Sequence, residues 1–227
     1  PNYELRADPA CGVLRSLILR KVDILAPPGI CVEAVGAEGS VLSSVSKPQP
    51  TRARVARNGQ MYDEVRISDI PVLDKAGKCP LKARIDLHCF AEKTHVVVSV
   101  TATQDIVLRD VYFRMPLTPG VIRQAVNSGR HVNTDLRWRP NGPESTLLGD
   151  KSGKSLCAIT LPRKAPPESV SLAWENGSLR DIVLSLTNST KPVLWKSGET
   201  RRLCFAMLFP AGEGDSFERR VRQEMNP

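Results

Sequence analysis

The stretch from Leu81 to Leu117 constrains this chain more than any other, because its apolar residues fall at every second position through three consecutive runs. In the first run, over 81–90, Ile85, Leu87 and Cys89 share one side while Arg84, Asp86 and His88 share the other. The second, over 94–103, is dense in β-branched residues: Val96, Val97, Val98 and Val100. In the third, over 107–117, Val111, Phe113 and Met115 alternate with Tyr112 and Arg114. A period of two puts successive side chains on opposite faces of an extended chain, whereas a helix needs a period of 3.6. The block therefore predicts three neighbouring strands, apolar on one face, at the centre of one sheet.

Shorter runs bounded by Gly, Pro, Asn and Asp recur on both sides of this block, which is how an all-β chain reads. Strands are expected over 13–19, 22–25, 30–35, 41–45, 51–56 and 61–67, and again over 155–161, 169–174, 181–187 and 201–209. Asn58-Gly59 is expected to form a two-residue type I′ turn, since that turn needs positive φ at both positions. The segment 118–143 is polar and rich in turn residues and is expected to be a long loop. A short C-terminal helix is expected from about Ser216 to Glu224, with Asp215 or Ser216 as its N-cap. We expect an all-β fold, a large antiparallel β-sandwich over residues 1–212. Residues 213–227 would be a helix or a linker toward a further domain. The start at Pro1 and the ending Asn226-Pro227 fit a segment of a longer chain.

At 227 residues and 41% hydrophobic, the chain has material for one large sandwich core, and its 25% charged residues are ordinary for a folded domain. No apolar run approaches the roughly 20 residues of a membrane helix, so no membrane partner is expected. The net charge of +8 raises the question of nucleic acid. However, the basic residues are dispersed, and aromatics, at 5%, are not interleaved with them as a base-stacking surface requires. No nucleic-acid partner is expected.

The residues that could carry chemistry are few. The six cysteines (Cys11, Cys31, Cys79, Cys89, Cys157, Cys204) contain no Cys-x-x-Cys pair, and buried thiols explain them best. His88, His95 and His131 have no metal-ligand spacing, so no metal and no cofactor is expected. His88 and His95 flank one hairpin and could be neighbours across it. The stretch Gly149-Asp150-Lys151-Ser152-Gly153-Lys154-Ser155 superficially resembles a phosphate-binding loop, but its glycines are misplaced and a turn is expected instead. Asp63-Glu64 is the one adjacent pair of carboxylates considered. In a strand the two point to opposite faces, so no catalytic residues are assigned. Trp138 lies in the long irregular segment, where binding residues tend to reside on a rigid sandwich. Trp138, Arg139, His131 and Asp150 are therefore the candidate carbohydrate-contacting residues, with loop anchoring as the competing role for Trp138.

The order of these signals resembles the β-sandwich portion of glycoside hydrolases similar to family 123. The opening Asp8-Pro9-Ala10-Cys11-Gly12-Val13-Leu14-Arg15-Ser16-Leu17 with Asp23-Ile24-Leu25-Ala26, the passage from Val96 to Met115-Pro116-Leu117, and Trp138 followed by Leu148-Gly149-Asp150 and Gly153 carry it. The final run from Leu203 to Pro210 resembles the strand that leads into that family's catalytic barrel. The resemblance implies a galactose-mutarotase-like supersandwich without the catalytic barrel, whose Asp-Glu pair this chain lacks. It implies a non-catalytic module packing on the catalytic domain of the same parent chain, with a glycan as a further partner, and it points to an extracellular or periplasmic setting. Two alternatives stand beside it: a mutarotase-like sugar enzyme using a histidine and a carboxylate, and a purely structural or protein-interaction sandwich.

Overall fold

A computed structural model of the protein describes residues 3–8, 13–45, 51–59, 61–210, 217 and 221. In chain order the strands are β1 (Tyr3–Asp8), β2 (Val13–Leu19), β3 (Val22–Asp23), β4 (Cys31–Gly36), β5 (Val41–Ser43) and β6 (Arg52–Asn58). The next six are β7 (Asp63–Val72), β8 (Leu81–Cys89), β9 (Lys93–Ala102), β10 (Ile106–Pro116), β11 (Gln124–Asn127) and β12 (Arg130–Val132). They are followed by β13 (Leu136–Trp138), β14 (Glu144–Gly149), β15 (Ser155–Leu161), β16 (Ser169–Glu175), β17 (Ser178–Trp195) and β18 (Thr200–Leu208).

All pairings among these strands are antiparallel, and they build two main sheets. One has six strands in the order β13-β16-β17-β10-β4-β5, the other nine in the order β12-β11-β14-β15-β18-β9-β8-β7-β6. The block read most firmly from the sequence is divided between them: β8 and β9 pair in the larger sheet, while β10 crosses to the centre of the smaller one. This corrects the expectation of three neighbours in one sheet: alternation fixes which face of a strand is buried, not which sheet the strand joins. Val111, Phe113 and Met115 form the buried face of β10 and meet the buried faces of β9 and β18, with the rings of Phe113 and Phe205 5.4 Å apart across the interface. A third sheet, β1-β2-β3, joins the main core through Tyr3, Leu14, Leu17 and Leu19. Gly29 allows the chain after it to approach β2 closely: its φ is +94° and a Cβ there would stand 2.5 Å from the Leu14 carbonyl oxygen.

The turns follow their chemistry unevenly. Asn176 and Gly177, at φ 51° and 68°, link Glu175 to its partner Ser178 as a two-residue hairpin, as do Ser128-Gly129 and Arg20-Lys21. Asn58-Gly59 corrects the expectation. Asn58 pairs with Asp63, so the connection is longer than two residues, and neither Asn58 nor Gly59 has a positive φ. The segment 118–143 is also not a loop throughout, since it supplies β11, β12 and β13. Of the expected helix at Ser216–Glu224, only Phe217 and Val221 fall among the described residues, and both have helical backbone; the rest of that expectation lies outside the described residues. Both side chains are buried with Ala158, Ala206 and Leu208, in a small cluster separate from the main core.

Candidate functional site

The outer face of the nine-stranded sheet carries a paired polar network. Leu81, Ala83, Ile85 and Leu87 of β8 are buried, which turns Lys82, Arg84, Asp86 and His88 outward. Register then aligns Glu64, His88, His95, Ala206 and Thr160 in one row across five strands. Arg66, Asp86, Val97 and Cys204 form the next row. Directly opposed side chains have Cβ atoms about 4.5–5.5 Å apart, so each row is a line of touching groups.

The charges in these rows are paired. Arg66 Nε donates to Asp86 Oδ1 at 2.7 Å and its Nη2 to Glu64 Oε1 at 3.0 Å. Arg84 donates to both oxygens of Asp86, at 2.7 and 2.9 Å. Burial alone would push the Asp86 carboxyl up, but the hydrogen bonds from Arg84 and Arg66 outweigh it and hold it below the usual carboxylate range. A carboxylate so held is a weak base, because accepting a proton would break charge-assisted bonds.

Beside this network lies a cleft of about 440 Å³, lined among others by His88, Phe90, His95, Thr160, Lys164 and Cys204. Aromatic rings cluster at one end. Tyr62 and Phe90 stand 5.1 Å apart, Phe90 meets His95 edge-on at 5.6 Å, and Tyr62 lies 5.7 Å from His88. Lys93 Nζ sits 5.3 Å from the centre of the Phe90 ring, and the Arg57 guanidinium equally far from that of Tyr62. Such a group presents flat apolar faces flanked by polar tips, a surface suited to the alternating C–H and O–H faces of a sugar ring.

Phe90 is buttressed from behind by β1, a strand the sequence reading did not anticipate. The Tyr3 hydroxyl donates to the Phe90 carbonyl at 2.8 Å and accepts from Thr94 Oγ1 at 2.8 Å, while its ring stacks on Phe209 at 4.1 Å. Burial first of all raises the Tyr3 phenol far above its ordinary value, so it stays a neutral donor.

The four residues singled out in the sequence do not converge. Trp138 lies on β13, the edge of the six-stranded sheet; it packs against the core and its Nε1 donates to Glu144 Oε2 at 2.7 Å. Arg139 follows it and is exposed. His131 is exposed on β12, the edge strand of the other sheet, opposite Val126. Asp150 sits in the β14–β15 turn. Its Oδ1 accepts from Ser152 N at 2.8 Å, Ser152 Oγ at 2.6 Å and Lys154 N at 3.1 Å, and the bond from the Ser152 hydroxyl leads in holding the carboxyl below its usual range. Glu144 opens β14 and Asp150 follows its end, so roughly 15–20 Å of strand separates Trp138's partner from Asp150.

The outer face of the six-stranded sheet holds one perturbed carboxyl. Burial pushes Asp110 up to about 6, with Arg137 and Ser185 opposing; its Oδ1 is buried without a partner, and its Oδ2 accepts from Ser185 Oγ at 3.3 Å. Asp110 thus belongs to a different sheet from His88 and His95 and cannot serve as their proton partner. Cys31, Cys79, Cys89, Cys157 and Cys204 are free thiols, while Cys11 lies outside the described residues. Burial raises Cys157 to about 12, which keeps it protonated and inert. Among the described residues, no three of His, Cys, Asp and Glu come together where they could hold a metal ion.

No family model matches the chain, and no curated protein matches it significantly. Solved structures do share its fold. One is a galactose mutarotase related enzyme from Lactobacillus acidophilus, with 10% identity, 93% of this chain and 96% of that one covered, and a TM-score of 0.53. Another is a galactose mutarotase-like protein from Lactobacillus casei, with 6% identity, 92% and 97% coverage, and a TM-score of 0.55. A polysaccharide lyase matches over 98% of this chain but 34% of its own, at 12% identity and a TM-score of 0.53. The chain is an all-β antiparallel sandwich of the galactose mutarotase-like fold.

Proposed function

We propose that this sandwich is a glycan-contacting, non-catalytic module of a carbohydrate-active protein, and that its glycan surface is the His88–Phe90–His95 cleft. The observation that carries the reading is the cluster of Tyr62, His88, Phe90 and His95 rings at one end of a cleft of about 440 Å³. The occurrence of the same fold as about a third of a polysaccharide lyase supports a modular role beside a catalytic domain of the same parent chain. Placement beside a family 123 barrel remains part of this proposal, carried by the short motifs quoted above. Screening the protein on immobilised glycans, then titrating the best by calorimetry against Phe90→Ala, tests it. Wild-type binding that Phe90→Ala abolishes is expected. No glycan retained by the wild type would leave a structural or protein-interaction sandwich.

One arrangement favours a second reading, a mutarotase-like enzyme: Glu64, His88 and His95 occupy a single row. Polarimetry on freshly dissolved α-galactose separates the two. The module reading expects anomer interconversion at the rate of buffer alone, and an acceleration lost in His95→Ala would replace it with the enzyme.

A further inference from the structure

Resting on the cleft as the glycan surface, the charge of its lining narrows the ligand further. Among the described residues, Lys164, His88 and His95 line the cleft, and no Asp or Glu does. The nearest carboxylates by register, Glu64 and Asp86, are engaged by Arg66 and Arg84. Asp63, next to Glu64, pairs with Cys89 on the opposite face of the strand. A concave site with a lysine ammonium in its wall, whose register neighbours Glu64 and Asp86 are already paired with arginines, focuses positive potential on its occupant.

The position of Lys164 is set by the backbone. The chain after β15 stays along β18, because Cys204 N donates to the Ala165 carbonyl at 2.8 Å, beyond the last β15–β18 pair at Thr160 and Ala206. Ala165 has a φ of 50°, a left-handed conformation that a residue with a Cβ adopts only when its surroundings impose it. The residue immediately before this constrained one therefore leaves the sheet at a fixed place over the cleft.

We propose that the cleft takes an acidic glycan, with a sugar ring against Phe90 and a carboxylate or sulfate group on Lys164. Both groups present the same chemistry to an ammonium, an anionic oxygen that accepts its hydrogen bonds. Calorimetric titration of the whole chain with an oligogalacturonide (carboxylate only), a carrageenan oligosaccharide (sulfate only) and a neutral galactan oligosaccharide separates the cases. At least one acidic ligand is expected to bind about tenfold more tightly than the neutral one. Lys164→Gln should weaken that ligand by about fivefold and leave the neutral one unchanged. Lys75→Gln, which removes the same charge from the β7–β8 connection at the other end of β8, should change neither. The ratio between the two acidic ligands identifies the anionic group. Neutral binding as tight as acidic binding overturns the inference and leaves the glycan surface standing. Equal losses in the two lysine variants also overturn it, by assigning the attraction to the net charge of +8. Binding of none of the three overturns the glycan surface itself together with the inference.

Discussion

His88 and His95 are direct cross-strand partners at the turn end of β8 and β9, and Phe90, two residues after the first, meets the second edge-on at 5.6 Å. These three rings form one surface because the β8–β9 hairpin folds them onto it. An edge-on ring contact contributes about 0.5–1.5 kcal/mol. His95→Ala should therefore lower the unfolding free energy by about that amount and, by releasing the Phe90 ring, weaken glycan binding as well. Calorimetry and a urea titration read the two quantities, and full affinity in His95→Ala would remove this ring from the binding surface.

Tyr3→Phe keeps the stack on Phe209 but deprives the Phe90 carbonyl of its donor and Thr94 of its acceptor. A loss of about 1–3 kcal/mol in unfolding free energy is expected, the cost of buried polar groups left unpaired. Phe90 loses its support from behind, so glycan affinity should fall as well. An unchanged urea midpoint would show that the hydroxyl contributes nothing net.

Asp110 gives the protein a pH dependence of definite sign. Its folded-state pKa is raised to about 6, so the native protein holds this proton more tightly than the unfolded chain does. The associated stability is complete below about pH 4, declines as pH rises, and is gone above about 6. Asp110→Asn removes the buried charge and should stabilise the protein at pH 7 by on the order of 2 kcal/mol. At pH 4 the variant should differ little from wild type. Urea unfolding at the two pH values checks this, and an equal effect at both would point to packing rather than ionisation.

Trp138→Ala should cost about 2–4 kcal/mol, because it removes core packing and leaves Glu144 without its indole donor. Glycan affinity of the folded fraction should stay at the wild-type level. Lost affinity with intact stability would transfer the glycan surface to the β13 edge.

The three strands over 81–117 were legible because their alternation is strict and long, but their division between two sheets was not, since a period of two looks the same in either sheet. β1 escaped because Tyr3 is the one fully buried residue in Tyr3–Asp8, and a single anchor makes no period. β11, β12 and β13 are three or four residues long, too short for alternation to show, and hydrogen bonds to their neighbours hold them. The candidate site was partly visible, since His88 and His95 could be placed across one hairpin from sequence. Phe90 had no mark of its own until the hairpin set it against His95, and Lys164 none until Cys204 fixed the backbone beside it. Trp138 drew notice as a rare residue in a polar stretch, and sequence could not reveal that Glu144 six positions on accepts its N–H.

The place of β18 in the larger sheet has a kinetic consequence. It lies between β15 and β9, and the hydroxyls of Thr101 and Thr200, 99 residues apart in sequence, meet at 2.8 Å across that junction. Until β18 has been synthesised, the sheet exists as two unjoined halves with open edges, and pairing so remote in sequence is slow to nucleate. His88, Phe90 and His95 belong to one half and Thr160 and Lys164 to the other. Recovery of ligand binding during refolding therefore times the last joining event, while the earlier formation of each half passes unregistered.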